Sequence, residues 1–289
     1  MRNLTDIKLR IKSITETRQI TGAMETISIA KMRKALLLYE SNHKYFAATR
    51  SVMCDIVLHS GHVRHRYMDK RGGESAVYIV IASDKGLAGG YNHNVLNAAW
   101  DAISAKKERF IFTLGQVARE FFEKRKIPID IDFTYTTKDP TIYDVEHIVE
   151  NIVSLYDQGM MDEVYVIYTS LLNSTTVMPA IIQLLPLRTE SISEAEQEAY
   201  KPDEYYRELR YDPTPDEVLD ELVPQYLAGL IYGALVQSVA AEHSCRRLAM
   251  SNATKNADEI VEKLTLDYHR ARQEVITNEI TELVTASVR

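Results

Sequence analysis

One segment combines residues whose types and spacing could do chemistry. It reads Ser83-Asp84-Lys85-Gly86-Leu87-Ala88-Gly89-Gly90-Tyr91-Asn92 and lies between a predicted strand and a predicted helix. In α/β folds such a glycine-rich turn often binds phosphate, because backbone N–H groups at the start of the helix face the anion. The segment matches neither GxGxxG nor GxxxxGK[ST], the dinucleotide and Walker patterns. It therefore favours a structural turn that passes close to the sheet, with phosphate binding as the alternative.

Three histidines, His59, His62 and His65, recur at intervals of three residues and could suggest a metal site. Zinc sites combine histidine with cysteine or carboxylate ligands, and the sequence offers no such partner between His59 and Asp69. We therefore expect solvated histidines at the end of a helix. The sequence also lacks the GxSxG, HExxH and protein-kinase signatures. It predicts no catalytic centre, no cofactor and no metal.

Composition indicates a soluble globular protein, since 45% of the 289 residues are hydrophobic and 26% are charged. The apolar runs are shorter than the roughly 18–20 residues of a membrane span, so we expect no direct span. The N-terminus lacks the apolar region of a signal peptide. Two cysteines exclude a disulfide framework. The net charge of −7 argues against binding to nucleic acid.

Charge is distributed unevenly along the chain. Residues 1–50 hold ten Lys and Arg against four Asp and Glu, whereas residues 189–222 hold three against twelve. We expect the N-terminal region to meet an acidic partner.

Glycine and proline, which interrupt helices, are scarce at both ends of the chain. Gly22 is the single one between residues 4 and 60, and the sequence has none from residue 234 to residue 289. Each helix would extend roughly 85 Å at 1.5 Å per residue, whereas a compact globule of this size is about 50 Å across. The pattern predicts that the two helices pair as an antiparallel coiled coil that projects from a folded insert.

Apolar residues at spacings of three and four mark the faces on which these helices should meet. We expect about ten well-buried apolar positions in the seam, each contributing about 1.5–3 kcal/mol. The first helix offers Ile7, Ile11, Ile14, Ile20, Ala23, Met24, Ile27 and Ala30. The second offers Ala253, Ala257, Ile260, Leu264, Tyr268, Ala271 and Val275, then Ile276, Ile280 and Leu283.

The middle of the chain alternates predicted strands and helices, which is typical of a mostly parallel sheet covered by helices. The last apolar run follows the preceding strand too closely for a crossover helix and should pair antiparallel with it. The predicted strands are residues 76–83, 109–114, 129–135, 163–171 and 177–187, with helices near 93–106, 115–126 and 141–158.

The predicted fold class is α/β. It consists of a long antiparallel coiled coil of the N- and C-terminal helices and an inserted Rossmann-like, five-stranded, mostly parallel α/β domain. We assign residues 1–65 and 215–289 to the discontinuous coiled-coil shaft. Residues 70–212 form the α/β head, which includes an acidic linker.

Motifs spread along the chain resemble the gamma subunit of the rotary (F-type) ATP synthase, in its bacterial form. The matching segments are ITGAMETISIAKMRKA from Ile20, SDKGLAGGYN from Ser83, YDPTPDEVLDELVPQYL from Tyr211, AEHSCRRLAMSNATKNADEI from Ala241 and ARQEVITNEITELV from Ala271. The resemblance implies a central rotor shaft that couples ion-driven rotation of the membrane c-ring to conformational cycling of the beta-subunit catalytic sites. ATP is then made or hydrolysed at catalytic sites of the beta subunits and not in this chain.

The resemblance also implies partners and a location. The partners are three alpha and three beta subunits, the epsilon subunit and the c-ring. The location is peripheral, on the cytoplasmic face of the bacterial inner membrane. The glycine-rich turn, with Asp84, Gly86, Gly89 and Gly90, is a structural signature in this family and binds no nucleotide.

The resemblance also implies which residues of this chain contact the beta subunits. Gly22, in the lower shaft, stands where the family usually has lysine, which costs roughly 1 kcal/mol of helix stability relative to alanine. The implied contact residues are Met24, Glu25, Lys31, Arg33, Lys34, Glu242, Arg246, Arg272, Gln273 and Thr277.

Two other classes of function remain open from the residues alone. One is a nucleotide-dependent α/β enzyme that uses the turn at residues 83–92. The other is a coiled-coil scaffold with no connection to ATP synthesis.

Overall fold

The computed structural model describes residues 4–59, 65–73, 75–104, 108–130, 137–138, 140–173, 176–188 and 214–287. Both predicted long helices are confirmed, and they run without a break through Gly22 and Pro224. The described residues form α1 (Leu4–His59), β1 (Ser75–Ile81), α2 (Tyr91–Ser104), β2 (Glu108–Leu114), α3 (Gln116–Lys124), α4 (Ile142–Asp157), β3 (Glu163–Leu171), β4 (Val177–Leu185) and α5 (Pro215–Ser287).

The sheet has the strand order β2-β1-β3-β4 within the described residues. β1 pairs parallel with both β2 and β3, as the alternation of strands and helices predicts. β4 pairs antiparallel with β3, which confirms the prediction for the last apolar run. Most of the strand predicted at residues 129–135 lies outside the described residues. At its start, the Asp130 N–H donates a hydrogen bond of 3.1 Å to the Ile111 carbonyl of β2.

β1 lies at the centre of the head, and all seven of its residues are buried. Successive side chains of a strand point to opposite faces, so β1 contributes to two cores. Val77 and Ile79 pack in a core that also takes residues of α1, α4 and α5. Tyr78 and Val80 pack in a second core with residues of α2 and α3. A strand covered on both faces needs the continuous apolar run that marks β1 in the sequence.

The N-terminal part of α5 is a core helix of the head. Leu227, Ile231 and Leu235 are each 1% exposed and belong to the same core as β1. α5 also contains a stretch with a mean hydropathy of 1.3, long and apolar enough to cross a membrane, and 61% of that stretch is buried inside the protein. Packing against the sheet therefore accounts for most of its apolar character.

The chain divides into two compact units. One comprises residues 1–30 and 246–289, and the other comprises residues 31–245. The sequence-based division into a shaft of residues 1–65 and 215–289 and a head of residues 70–212 stays a proposal.

The first unit is an antiparallel helix pair whose seam is partly polar. Ile7 is buried, and Ile11 and Ile14 are half-buried, as predicted. The buried positions of α1 then continue with Thr21 and Ser28, which extend a seven-residue repeat from Ile7 through Ile14. Two polar contacts cross the seam. The Thr21 and Thr254 hydroxyl oxygens lie 2.7 Å apart, and Arg18 forms an ion pair with Asp258.

Part of the predicted apolar stripe is wrong. Ile20, Ala23, Ile27 and Ala30 of α1 are exposed, because they lie off the repeat that places Thr21 and Ser28 in the seam. In α5 the stripe holds as far as Ala271, with the exception of Ile260. The buried or half-buried members are Ala253, Ala257, Leu264, Tyr268 and Ala271, and the exposed ones are Ile260, Val275, Ile276, Ile280 and Leu283.

The seam therefore contains far fewer deeply buried apolar side chains than the expected ten or so. Among the described residues of this unit, the buried apolar side chains are those of Ile7, Met250 and Ala257. Half-buried side chains and the polar contacts supply the remainder of the seam.

Candidate functional site

The glycine-rich turn is held together by its own polar groups. The Ser83 N–H donates to Asn92 Oδ1 at 3.1 Å, and the Ser83 hydroxyl donates to the Lys85 carbonyl at 2.7 Å. The Asn92 amide in turn lies 2.7 Å from the Ser83 hydroxyl. Because these polar groups hydrogen-bond one another, they stabilise the turn and are not free to bind a phosphate.

Asp84 connects the turn to the elements beside it. One carboxylate oxygen accepts from the Gln116 N–H, at the start of α3, and the other accepts from the Thr137 hydroxyl, both at 3.3 Å. Gly115, just before α3, has φ of 95°, and a Cβ there would lie 2.2 Å from the Ala82 carbonyl oxygen. The close approach of β1 to the start of α3 thus requires glycine.

The glycines within the turn itself, residues 83–92, differ in how strongly the structure requires glycine. Gly89 has φ of 56°, in the left-handed region that favours glycine. Gly86 and Gly90 are exposed, and an added Cβ would meet no atom within 4 Å at Gly86. The conformational requirement for glycine is therefore strongest at Gly89.

Tyr91, at the end of the turn, is a residue that the sequence does not single out. It is 2% exposed and packs in a small cluster with Ala88 and Ala241. Burial raises the pKa of Tyr91 far above its ordinary value, and the negative charge of Glu242 raises it further.

The predicted contact residues of α1 form a mixed surface. Met24 and Glu25 are half-buried, whereas Lys31, Arg33 and Lys34 are exposed. These three basic residues flank Met32, which is buried. The three cations are therefore presented to solvent, where they can meet an acidic partner.

Glu242 and Arg246 of α5 are each only 8% exposed, which is rare for charged residues. They lie four residues apart and so occupy the same face of the helix. In the isolated chain these two charged side chains are nearly buried, whereas Lys31, Arg33 and Lys34 of α1 are exposed. A nearly buried charge is stable only when polar or charged groups bond it.

The end of α5 carries the remaining predicted contact residues. Arg272, Gln273 and Thr277 are all exposed. The Thr277 hydroxyl donates to the Gln273 carbonyl of its own helix at 2.8 Å. Nearby apolar side chains are exposed too, with exposed fractions of 55% at Ile280 and 71% at Leu283. Apolar side chains clustered at such exposure indicate a surface that a partner covers.

The structure corrects the expectation for His65, which is buried rather than solvated at 4% exposure. Its Nε2 lies 3.1 Å from an Asp220 carboxylate oxygen, and its Nδ1 faces the Tyr67 N–H at 3.4 Å. His62 and the side chain of His59 lie outside the described part of the chain. Within the described part, no group of three His, Cys, Asp or Glu residues could hold a metal ion.

Two cavities formed by described residues of the head lie away from the glycine-rich turn. One of about 220 Å³ is lined by residues of α1, β3, β4 and α5. Another, of about 650 Å³, is lined by residues of α1, α4 and α5. Neither is lined by residues 83–92, the segment on which the nucleotide-binding alternative depends.

Comparison with known proteins gives matches along the whole chain. The profile of a family described as ATP synthase matches residues 3–287. The ATP synthase gamma chain of Acetivibrio thermocellus is 41% identical over 98% of this chain and 98% of its own length. A sodium-ion-specific ATP synthase gamma chain from Acetobacterium woodii is 37% identical over 98% and 97% of the two chains.

The fold also matches a chain in a solved structure. This structure is the OSCP/F1/c-ring part of the Euglena gracilis mitochondrial ATP synthase, in rotational state 3. The TM-score is 0.66 at 16% identity, over 99% of this chain and 93% of the other. At that identity the likeness is one of fold.

Proposed function

Because this chain belongs to the ATP synthase gamma-chain family, we propose that it is the central rotor shaft of a bacterial ATP synthase. It couples ion-driven rotation of the membrane c-ring to the conformational cycle of the beta-subunit catalytic sites, in ATP synthesis or hydrolysis. The chain is a non-catalytic subunit of that enzyme. The observation that carries this function is the match to gamma chains over 98% of both lengths.

The complex that this function requires contains three alpha and three beta subunits, the epsilon subunit and the c-ring. The chain is then part of a membrane-associated complex and is peripheral to the membrane. We place it on the cytoplasmic face of the bacterial inner membrane, where ATP is available to the catalytic subunits.

In this proposal, residues of α1 and residues of α5 contact the beta subunits in different ways. Lys31, Arg33 and Lys34 are exposed, so they act by attracting acidic surfaces. Exposed ion pairs contribute only about 0–1 kcal/mol each, which suits contacts that must break and re-form at every rotary step. Met24 and Glu25 add a half-buried part to the same region.

On α5, Glu242 and Arg246 provide charges that are nearly buried in the isolated chain. Arg272, Gln273 and Thr277 provide hydrogen-bonding groups near the end of the helix. The exposed apolar residues around them favour a sleeve of the alpha and beta subunits over solvent as their environment.

Native mass spectrometry of the complex purified through a tag on this chain tests the function. We expect one copy of this chain with three alpha and three beta subunits and epsilon, and ATP-driven ion transport after reconstitution into liposomes. A chain that purifies without an ATPase hexamer would instead support the scaffold hypothesis. Transport that is unchanged when this chain is omitted from the complex would also contradict the proposal.

A further inference from the structure

The cavity of about 220 Å³ exists because two residues of α5 that line it, Gly229 and Gly233, carry no side chain. The Phe46 ring of α1 takes up the space at Gly229, where an added Cβ would lie 2.1 Å from it. At Gly233 an added Cβ would lie 3.9 Å from its nearest neighbour, in the Tyr39 ring. Open space therefore remains between α1 and α5 around Gly233.

Two tyrosines that line this cavity are buried and have no hydrogen-bond partner in the described part of the chain. They are Tyr226, which is 7% exposed, and Tyr232, which is 5% exposed. A buried tyrosine hydroxyl usually finds a partner, because an unbonded one costs free energy. Tyr67 and Tyr78, for example, bond a carboxylate and a backbone carbonyl. A polar molecule inside the cavity would satisfy the hydroxyls of Tyr226 and Tyr232.

The residues around the cavity indicate the chemical class of that molecule. A planar ring suits the aromatic side chains of the walls. An anion suits the basic residues Arg50 and His43, and no Asp or Glu is among the described residues that line the cavity. The aromatic rings of the walls are those of Tyr39, Phe46, Tyr168, Tyr226 and Tyr232.

The tyrosine hydroxyls and the cavity volume narrow the class further. Burial raises the pKa of both Tyr226 and Tyr232, so each hydroxyl keeps its proton at neutral pH and can donate to an anion. A cavity of about 150 Å³ is enough for benzene. The volume of about 220 Å³ therefore leaves room for one ring and a small acidic group.

We propose that this cavity is a binding site for an aromatic carboxylate with a single ring. The ring lies among the aromatic side chains beside Gly233. Its carboxylate accepts hydrogen bonds from the tyrosine hydroxyls and balances the positive charge of Arg50. The bound molecule contacts α1, α5 and the sheet at once, so it stabilises the folded head by mass action. This site goes beyond the proposed rotor function and does not depend on it.

Isothermal titration of the full chain with benzoate tests the site. We expect one benzoate per chain with a Kd of about 0.1–1 mM, a range open to so small a ligand. Benzamide has the same shape without the charge and should bind at least about fivefold more weakly. Acetate, which lacks the ring, should give no heat of binding. Benzylamine should give none either, because its positive charge meets that of Arg50.

Substitution of the two cavity tyrosines separates binding from folding. Tyr226→Phe and Tyr232→Phe should each weaken benzoate binding about fivefold, on the scale of one hydrogen bond. The melting temperature of the free chain should stay the same or rise, since no hydrogen bond within the chain is lost. Tyr78→Phe is the matched control. The Tyr78 hydroxyl bonds the Ala102 carbonyl at 3.3 Å, so this variant should melt earlier and bind benzoate normally.

A substitution at Gly233 tests the position of the ligand. Gly233→Val places a side chain in the open space and should abolish benzoate binding. A Gly233→Val chain that binds benzoate as tightly as the wild type would contradict the position.

The remaining outcomes decide the inference without reference to rotation. No binding of benzoate, or an affinity unchanged in both Tyr226→Phe and Tyr232→Phe, would overturn the site. Benzylamine that binds as tightly as benzoate would overturn the charge assigned to the ligand. Tyrosine variants that melt as early as Tyr78→Phe would show that the hydroxyls are bonded within the chain. The rotor function is tested separately, by the composition and ion transport of the complex.

Discussion

The hydroxyl oxygens of Thr21 and Thr254 lie 2.7 Å apart in the seam between α1 and α5. The Thr254 hydroxyl is also 2.9 Å from the Met250 carbonyl of its own helix, and the Thr21 hydroxyl is 3.0 Å from the Arg18 carbonyl. A polar pair therefore occupies a place where an apolar pair was expected. Each hydroxyl has one proton, so while one threonine donates to the other, the second donates to the carbonyl of its own helix.

Replacing these threonines by valine tests what the pair contributes. We expect Thr21→Val or Thr254→Val alone to lower the free energy of unfolding by about 1 kcal/mol, because one hydroxyl is left facing a methyl group. The double variant should recover most of that loss, since two valines form an apolar contact of the same shape. Urea unfolding of the full chain and its three variants measures the coupling. Strictly additive losses would contradict the account.

Two glycines of α5 form a matched pair for substitution. A Cβ at Gly229 would lie 2.1 Å from the Phe46 ring, whereas at Gly233 it would lie 3.9 Å from the nearest atom, in the Tyr39 ring. We expect Gly229→Ala to cost about 1–3 kcal/mol through overpacking. Gly233→Ala should stabilise the chain by about 0.5–1 kcal/mol because alanine favours helix. Thermal unfolding of both variants measures the difference, and equal effects would contradict the packing described.

Alkaline pH should destabilise the head partly through Tyr67. Burial, together with the carboxylate of Asp157, which accepts a hydrogen bond from this tyrosine, raises the pKa of Tyr67 to about 12 from 10.0. The folded state therefore keeps its proton where the unfolded state loses it. Stability from this group is complete below about pH 10 and is lost toward pH 12, with a limiting slope of about 1.4 kcal/mol per pH unit.

Unfolding measured between pH 9 and 12 checks this slope in the wild type and two variants. Tyr67→Phe should remove the part of the slope due to this residue, and Asp157→Asn should reduce that part. The order of slopes should be wild type, then Asp157→Asn, then Tyr67→Phe. A Tyr67→Phe slope as steep as that of the wild type would contradict the assignment.

The isolated chain should not bind nucleotide. The Ser83 and Asn92 groups of the glycine-rich turn already bond each other, so a phosphate would have to displace them. Isothermal titration with ATP and with NAD should give no heat of binding at micromolar concentrations. Saturable binding that Asn92→Ala abolishes would revive the enzyme hypothesis, and the same titration of the variant supplies the control.

Truncation before Arg270 should weaken coupling or assembly and leave the head folded. The removed part carries Arg272, Gln273 and Thr277, all exposed, and it lies beyond the buried residues of α5 that stabilise the head. Circular dichroism and thermal unfolding report on the head, and the ion-to-ATP ratio of the reconstituted complex reports on coupling. Unchanged yield and coupling would count against the contacts proposed for this end.

Sequence reasoning located the helices and described strands well for a physical reason. Glycine and proline act locally, so their scarcity at both ends predicts α1 and α5 directly, and the continuous apolar run of β1 reflects its cover on both faces. The seam was harder to predict. Ile20 and Ile27 are more apolar than Thr21 and Ser28, yet the repeat that starts at Ile7 places the latter pair in the contact.

Pairings between distant residues could not be predicted from one sequence. His65 is buried, and a carboxylate oxygen of Asp220, which is 155 residues away, lies 3.1 Å from its ring. Tyr91 is likewise buried against Ala241 of α5. Neither residue has a local pattern that distinguishes it from a solvated histidine or an ordinary core tyrosine. For the seam, in contrast, the repeat of seven from Ile7 through Ser28 was a usable signal.

That repeat of seven in α1 has a consequence for how the helix pair responds to load. A period of 3.5 residues is shorter than the 3.6 of a straight helix, so it imposes a left-handed winding on the pair. Twisting in the sense that adds winding presses the seam residues together, whereas twisting in the other sense separates them. The torsional stiffness of this helix pair should therefore differ between clockwise and anticlockwise rotation.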